Sequence, residues 1–142
     1  MATKPPDYTL LDHTADLGII VRGEDLKTLF ETAAKVLMHL MIRGKSKAKS
    51  TDMDITISGQ DLPDLLVRWL GEILYFFEGE DLVVTFIHIH FLSLTRLDAV
   101  LKTVPFNPTV HRIHNEIKAV TYHQVQVVKK GSVWEAQVIF DT

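Results

Sequence analysis

Apolar and polar positions change period several times along this chain, and each change predicts an element. Residues 8–11 read as a short strand and residues 17–22 as a second, which Gly23 breaks. Leu26, Leu29, Phe30, Ala33, Leu37, Leu40 and Met41 then recur every three or four residues, placing them on one stripe of a helix. Asp25 offers that helix an N-cap oxygen, and Gly44 marks the region where it should end. Residues 44–50 have no apolar period and carry Lys45, Lys47 and Lys49, so they read as a solvated loop or, alternatively, a phosphate contact. Residues 54–58 alternate as a strand. A second helix opens near Asp61 with Pro63 in its first turn, where a missing N–H costs little. Leu62, Leu65, Leu66, Trp69, Leu70, Ile73, Leu74 and Phe77 keep the helical period for the rest of it.

The remainder is rich in valine, isoleucine and aromatics and predicts strands over residues 82–92, 94–104, 117–129 and 133–140. Lys129-Lys130-Gly131-Ser132 is the turn of a hairpin between the last two. Pro105, Asn107, Pro108 and His111 give residues 104–116 the chemistry of a long exposed loop. Strands outnumber helices without alternating with them. The expected fold is therefore α+β, with two amphipathic helices packed on a mainly antiparallel sheet as a layered sandwich.

A length of 142 residues with 46% hydrophobic and 23% charged residues fits one packed domain. Net charge is −3, so the global field repels a phosphate backbone, and strong direct nucleic-acid binding is not expected. The absence of cysteine removes disulfides, thiolate catalysis and thiolate-bound zinc, leaving oxygen or imidazole to hold any metal. The first residues lack an apolar signal core, and no apolar run reaches the ~20 residues needed to cross a bilayer, so a cytoplasmic protein without membrane partners is expected.

Asp12-His13-Thr14-Ala15-Asp16 sets two carboxylates and an imidazole immediately before an apolar strand. In the last strand Trp134, Ala136, Val138 and Phe140 share one parity and should face the core together, which turns Asp141 to the other face. Asp141 and the terminal Thr142 cluster oxygen donors of the kind that hard cations prefer, and a carboxylate from the early acidic loop would complete the set. A turn cap at Asp16 and a frayed tail at Asp141-Thr142 account for the same residues without a metal. Lys118, Val120 and Tyr122 share a strand face beside Glu116, although a lysine guarding an edge strand reads the same way. His88 and His90 lie on one strand face without a third ligand in view, and His39 falls within the first helix as a structural residue. Neither a glycine-rich phosphate loop nor a serine nucleophile elbow is present.

Taken together, five blocks resemble the archease family: Asp12 to Asp16, the helix with Leu29-Phe30-Glu31 and Ala33-Ala34, the helix from Asp64 to Tyr75, the stretch from Glu116 to His123, and the ending Val138-Ile139-Phe140-Asp141-Thr142. They occur in order and span essentially the whole chain. The resemblance implies a small α/β fold and a non-enzymatic protein cofactor of the RtcB-type RNA ligase, which joins 2′,3′-cyclic-phosphate or 3′-phosphate ends to 5′-hydroxyl ends in tRNA splicing and RNA repair. It implies faster formation of the ligase's guanylylated histidine, multiple turnover and wider nucleotide choice, with nucleotide and tRNA met through the ligase. It further implies a divalent cation at Asp16, Asp141 and Thr142, with Asp12 and His13 as neighbours; calcium is expected, with magnesium or manganese as alternatives. Glu116 and Lys118 match positions used for ligase activation. Residues 77–115 carry no matched motif and read as an inserted or variable portion of a single domain over residues 1–142; Thr109 to His114 departs from the glycine and acidic residues expected there. Two other functions stay open: a chaperone or specificity modulator of a tRNA methyltransferase, and a metal-dependent phosphohydrolase, for which no second ligand set or general base is visible.

Overall fold

The computed structural model describes residues 5–11 and 16–142, which form ten strands and two helices. A five-stranded antiparallel sheet contains β1 (Thr9–Leu11), β2 (Leu17–Gly23), β8 (Ala119–Val120), β9 (Gln126–Lys130) and β10 (Val133–Asp141). In it β1 pairs with β2, β2 with β10, and β10 with both β8 and β9. A second sheet has the order β4 (Thr51–Ser58), β6 (Arg96–Pro105), β5 (Leu82–Leu92). A two-stranded ribbon joins β3 (Ile42–Arg43) to β7 (Arg112–Ile113). The helices α1 (Leu26–Met41) and α2 (Leu62–Glu80) touch both larger sheets, so the layered α+β expectation holds with the strands divided between two sheets.

Local chemistry explains the helix ends. Asp25 and Asp61 are extended N-caps whose carboxylates accept the N–H groups of Thr28 (2.8 Å) and Asp64 (2.9 Å). The α1 stripe is wider than the apolar period predicts, because Ala34, Val36 and Met38 are buried as well as Leu29, Phe30, Ala33 and Leu37. A helix enclosed by two sheets and a second helix has little surface left for water. Trp69 of α2 is fully buried and donates its indole N–H to the Phe30 carbonyl (2.9 Å), locking the helices together through the one polar atom of the side chain. On the other flank of α1, Glu31 accepts the Ile89 N–H (2.8 Å) beside an irregularity in β5. Residues 82–104 contribute Val83, Ile87, Ile89, Leu97 and Leu101 to the same hydrophobic core as the helices and β10.

Three boundaries differ from expectation for identifiable reasons. The helix α1 stops at Met41, not at Gly44, because Ile42 and Arg43 turn extended to pair with Ile113 and Arg112. That pairing, with His111 buried against Phe106, also makes residues 104–116 a partly packed excursion and not a wholly exposed loop. The strand expected over residues 117–129 is two strands: Val120 opposes Phe140 and Gln126 opposes Gln137, so five residues stand across from two. The surplus leaves the ladder as a turn in which Gln124 takes φ +54° and the Val125 N–H reaches the Tyr122 carbonyl (3.3 Å).

Candidate functional site

The central strand β10 organises the candidate site. Its register with β2 runs from Trp134 opposite Gly23 to Phe140 opposite Leu17. The register ends there, and Asp16 and Asp141 are the next residues beyond that last pair on its two sides, so both lie at the same end of the sheet. On the far side of β10, Asp141 opposes Ala119 and its carbonyl accepts the Lys118 N–H (2.7 Å). One end of β10 therefore gathers Asp16, Lys118, Asp141 and Thr142. Phe140, fully buried between Leu17 and Val120, anchors that end to the core and leaves the exposed Asp141 and Thr142 beyond it. The shared burial of Ala136, Val138 and Phe140 follows the predicted parity, whereas Ile139 on the opposite parity is also buried.

Asp12 and His13 lie outside the described residues. Asp16, Asp141 and Thr142 supply an oxygen donor set of the sort that calcium or magnesium accepts, although among the described residues no group of three His, Cys, Asp or Glu side chains is gathered closely enough to hold a metal.

Glu116 and Lys118 occupy a run that lies along α2. Glu116 is exposed and lines a cavity of about 170 Å³ with Phe77, Glu78 and Asp81 at the end of α2. Ile117 is buried in the core, which turns its neighbours Glu116 and Lys118 outward, and both are exposed. At the other end of the run the Tyr122 hydroxyl donates to Asp64 Oδ1 in the first turn of α2 (2.7 Å). Asp64 also accepts the Gln60 N–H (2.8 Å) and Arg68 Nε (3.0 Å to Oδ2). The Tyr122 hydrogen bond, followed by that of Gln60, holds the Asp64 carboxyl below its ordinary range; the same bond pushes the Tyr122 phenol up, and the bonds to Asp64 push Arg68 up. This anchor fixes the excursion at residues 121–125, and no spacing in the sequence links positions 64 and 122. The presence of an acidic residue three positions after the N-cap was the only legible part of it.

His88 and His90 stack on the exposed side of β5 with ring centroids 6.4 Å apart, and His88 Nδ1 is 3.9 Å from Glu31. His39 packs edge-on against Tyr8 (6.0 Å), and burial, then Arg43 and His114, push its pKa down. No helix among the described residues is long and apolar enough to cross a membrane.

The chain matches the sequence model of the Archease protein family (MTH1598/TM1083) over residues 8–142. It is 32% identical to the protein archease of Methanosarcina acetivorans over 99% of both chains, and 31% identical to that of Pyrococcus furiosus over 92% of this chain and 94% of the other. The solution structure of Methanobacterium thermoautotrophicum protein 1598 superposes with a TM-score of 0.69 at 26% identity, covering 95% of this chain and 98% of that one. The crystal structure of an archease and possible chaperone from Thermotoga maritima, 20% identical, shares the fold with a TM-score of 0.64 over 100% of this chain and 98% of that one.

Proposed function

The chain belongs to the archease family, and from that premise we propose that it is a non-enzymatic activator of an RtcB-type RNA ligase, promoting guanylylation and repeated turnover of its partner. The observation that carries the reading is the convergence at the end of β10. Asp16, Asp141 and Thr142, which the family resemblance assigns to a cation, lie at that end together with Lys118, which it assigns to ligase activation.

Each residue has a role that follows from its chemistry. The Asp16 and Asp141 carboxylates and the Thr142 oxygens would hold a hard divalent cation, calcium first among the alternatives; the bound ion supplies positive charge that offsets the repulsion between the two carboxylates. Lys118 is fixed through its main chain to Asp141, so its position depends on the same strand end while its exposed ammonium stays available to nucleotide phosphates. Glu116, two residues earlier, offers a carboxylate to basic groups of the partner. Groups held in place before the partner arrives lower the cost of ordering nucleotide and metal in the partner's own site.

The test mixes a cognate ligase, limiting GTP and this protein, and follows both guanylylated ligase and joined RNA. Faster guanylylation and several turnovers per ligase are expected, with the effect lost in Asp16→Ala and in Lys118→Ala. Unchanged rates with the wild-type protein would refute the reading. A changed tRNA specificity of a methyltransferase, with Asp16→Ala silent, would favour the chaperone alternative.

A further inference from the structure

Charge is divided unevenly over this molecule. Residues 38–50, which hold the end of α1, β3 and the loop to β4, carry Arg43, Lys45, Lys47 and Lys49; residues 107–115 carry Arg112. Neither segment contains an Asp or Glu. Five of the chain's 15 Lys and Arg therefore fall in these two segments, and the other ten stand against all 18 Asp and Glu. An acidic protein thus carries a basic patch here.

The fold joins the two segments. Arg43 lies directly opposite Arg112 in the β3–β7 ribbon, a placement that puts their Cα atoms ~5 Å apart. Like charges directly opposite destabilise a ladder unless something anionic lies between them. The Met41 carbonyl accepts the His114 N–H (2.7 Å), and a Cβ at Gly44 would overlap the Val110 carbonyl, so the lysine loop leaves from the surface of the 107–111 segment. Arg22, Arg68 and Arg96 each hold a carboxylate, those of Glu135, Asp64 and Asp98 at 2.9, 3.0 and 2.8 Å. Arg43 and Arg112 hold none among the described residues: Arg43 donates Nε to the His39 carbonyl (2.9 Å), which orients its guanidinium, and both side chains are exposed. With His114 they line a concavity of about 380 Å³.

We propose that the β3–β7 ribbon and the lysine loop after it bind the phosphate backbone of RNA directly. Guanidinium forks match phosphate oxygens, and the imidazole of His114 adds a donor at the same concavity. Lys47 and Lys49, both exposed in the loop that follows, add further positive charge, and several cations spread over a ribbon and its loop suit a polyanion better than a single free phosphate. The net charge of −3 does not oppose this, because at physiological salt a field is screened beyond ~8 Å and the patch meets the backbone at contact. The phosphate chemistry stands apart from the ligase reading, and the choice of RNA as the polyanion rests on it.

The experiment is a fluorescence anisotropy titration of a labelled tRNA with the full chain, between about 50 and 200 mM salt. About four phosphate contacts give a slope of log K against log salt near −3, so a fourfold rise in salt weakens binding by about 60-fold. Arg43→Gln with Arg112→Gln should make that slope shallower by about 1.5 and weaken low-salt binding at least ~10-fold. Lys47→Glu with Lys49→Glu, which removes no contact within the fold, should weaken binding comparably and covers the case in which the arginine pair unfolds. Absence of binding at low salt, or wild-type slopes in both double variants, would overturn the proposal. Full displacement of tRNA by GTP at equal phosphate concentration would make a free nucleotide the occupant, and loss of ligase activation with RNA binding intact would give the patch to a protein partner; either overturns it. A wild-type protein that binds tRNA yet leaves the ligase unaffected separates the failure of the ligase reading from the success of this one.

Discussion

Replacing Asp141 with asparagine should reverse its effect on stability according to whether a divalent cation is present. Asp16 and Asp141 follow the last pair of the β2–β10 register, and a register continued by one residue would set their Cα atoms ~5 Å apart. Two unit charges at that separation repel by about 0.8 kcal/mol in a dielectric near that of water, the appropriate limit for a residue as exposed as Asp141. In chelator, Asp141→Asn is therefore expected to be the more stable protein by up to about 0.8 kcal/mol, or about 3 °C in Tm for a domain of this length. In calcium at about 100 times Kd the wild type gains about 2.7 kcal/mol, close to 10 °C, while the variant has lost a ligand and gains little. The melting curves should change order. Differential scanning calorimetry at constant ionic strength, with EDTA and then with excess calcium, reads both steps. Equal calcium shifts in the two proteins, or none in the wild type, would refute the idea that the strand end is a cation seat.

Three further outcomes follow from packing and titration. Trp69→Phe should cost about 1–3 kcal/mol, measured by denaturant unfolding: it removes the 2.9 Å indole bond and part of a buried ring, while the Phe30 carbonyl keeps its helical partner, and a loss under ~0.5 kcal/mol would contradict the helix-locking role. Gly44→Ala should destabilise by about 1–3 kcal/mol, because Gly44 holds φ +107° and a Cβ would meet the Val110 carbonyl; unchanged stability would show that the β3–β7 ribbon can shift freely. His111 is buried, accepts the Asn107 N–H through Nδ1 (2.9 Å) and has its pKa pushed below 6.5 by burial. The unfolded chain then binds the proton more tightly than the folded one, so this contribution is complete above pH ~6.5 and is lost as pH falls toward the folded value. Unfolding free energies measured between about pH 7.5 and 5.5 should decline in the wild type and decline less in His111→Gln; because the His39 pKa is also pushed down, the variant keeps part of the slope.

Elements governed by nearest-neighbour chemistry were legible from the chain. Asp25 and Asp61 announced both helix starts, and the three-to-four spacing from Leu65 to Leu74 named most of the buried face of α2. The period-two pattern from Ala136 to Phe140 likewise fixed which side of β10 meets the helices. What stayed hidden depended on partners distant in sequence. A helix pattern cannot reveal that Ile42 and Arg43 will pair with Ile113 and Arg112, far along the chain, and that pairing sets the end of α1. Nor does the valine-rich run after Ile117 disclose that Phe140 and Gln137 require registers that differ by three residues, which expels the Tyr122–Val125 turn.

The same division runs through the candidate site. Parity alone turned Asp141 away from the core, but convergence with Asp16 needed the β2–β10 register, because a slip of one residue would have carried the carboxylate to the other face. Lys118 was readable as an exposed residue at a strand entrance, whereas its tie to Asp141 and the Tyr122–Asp64 anchor further along the run are tertiary facts. Those ties give the site its physical character. The β8 ladder is only two residues long, too short to hold residues 116–122 by itself, so the Ile117 side chain in the core, the Asp141 carbonyl and the Asp64 carboxylate must share that task. Because one of these ties is the main chain of Asp141, any ion that settled Asp16 and Asp141 would also settle the backbone from which Lys118 projects, linking the proposed cation seat to Lys118 through one peptide unit.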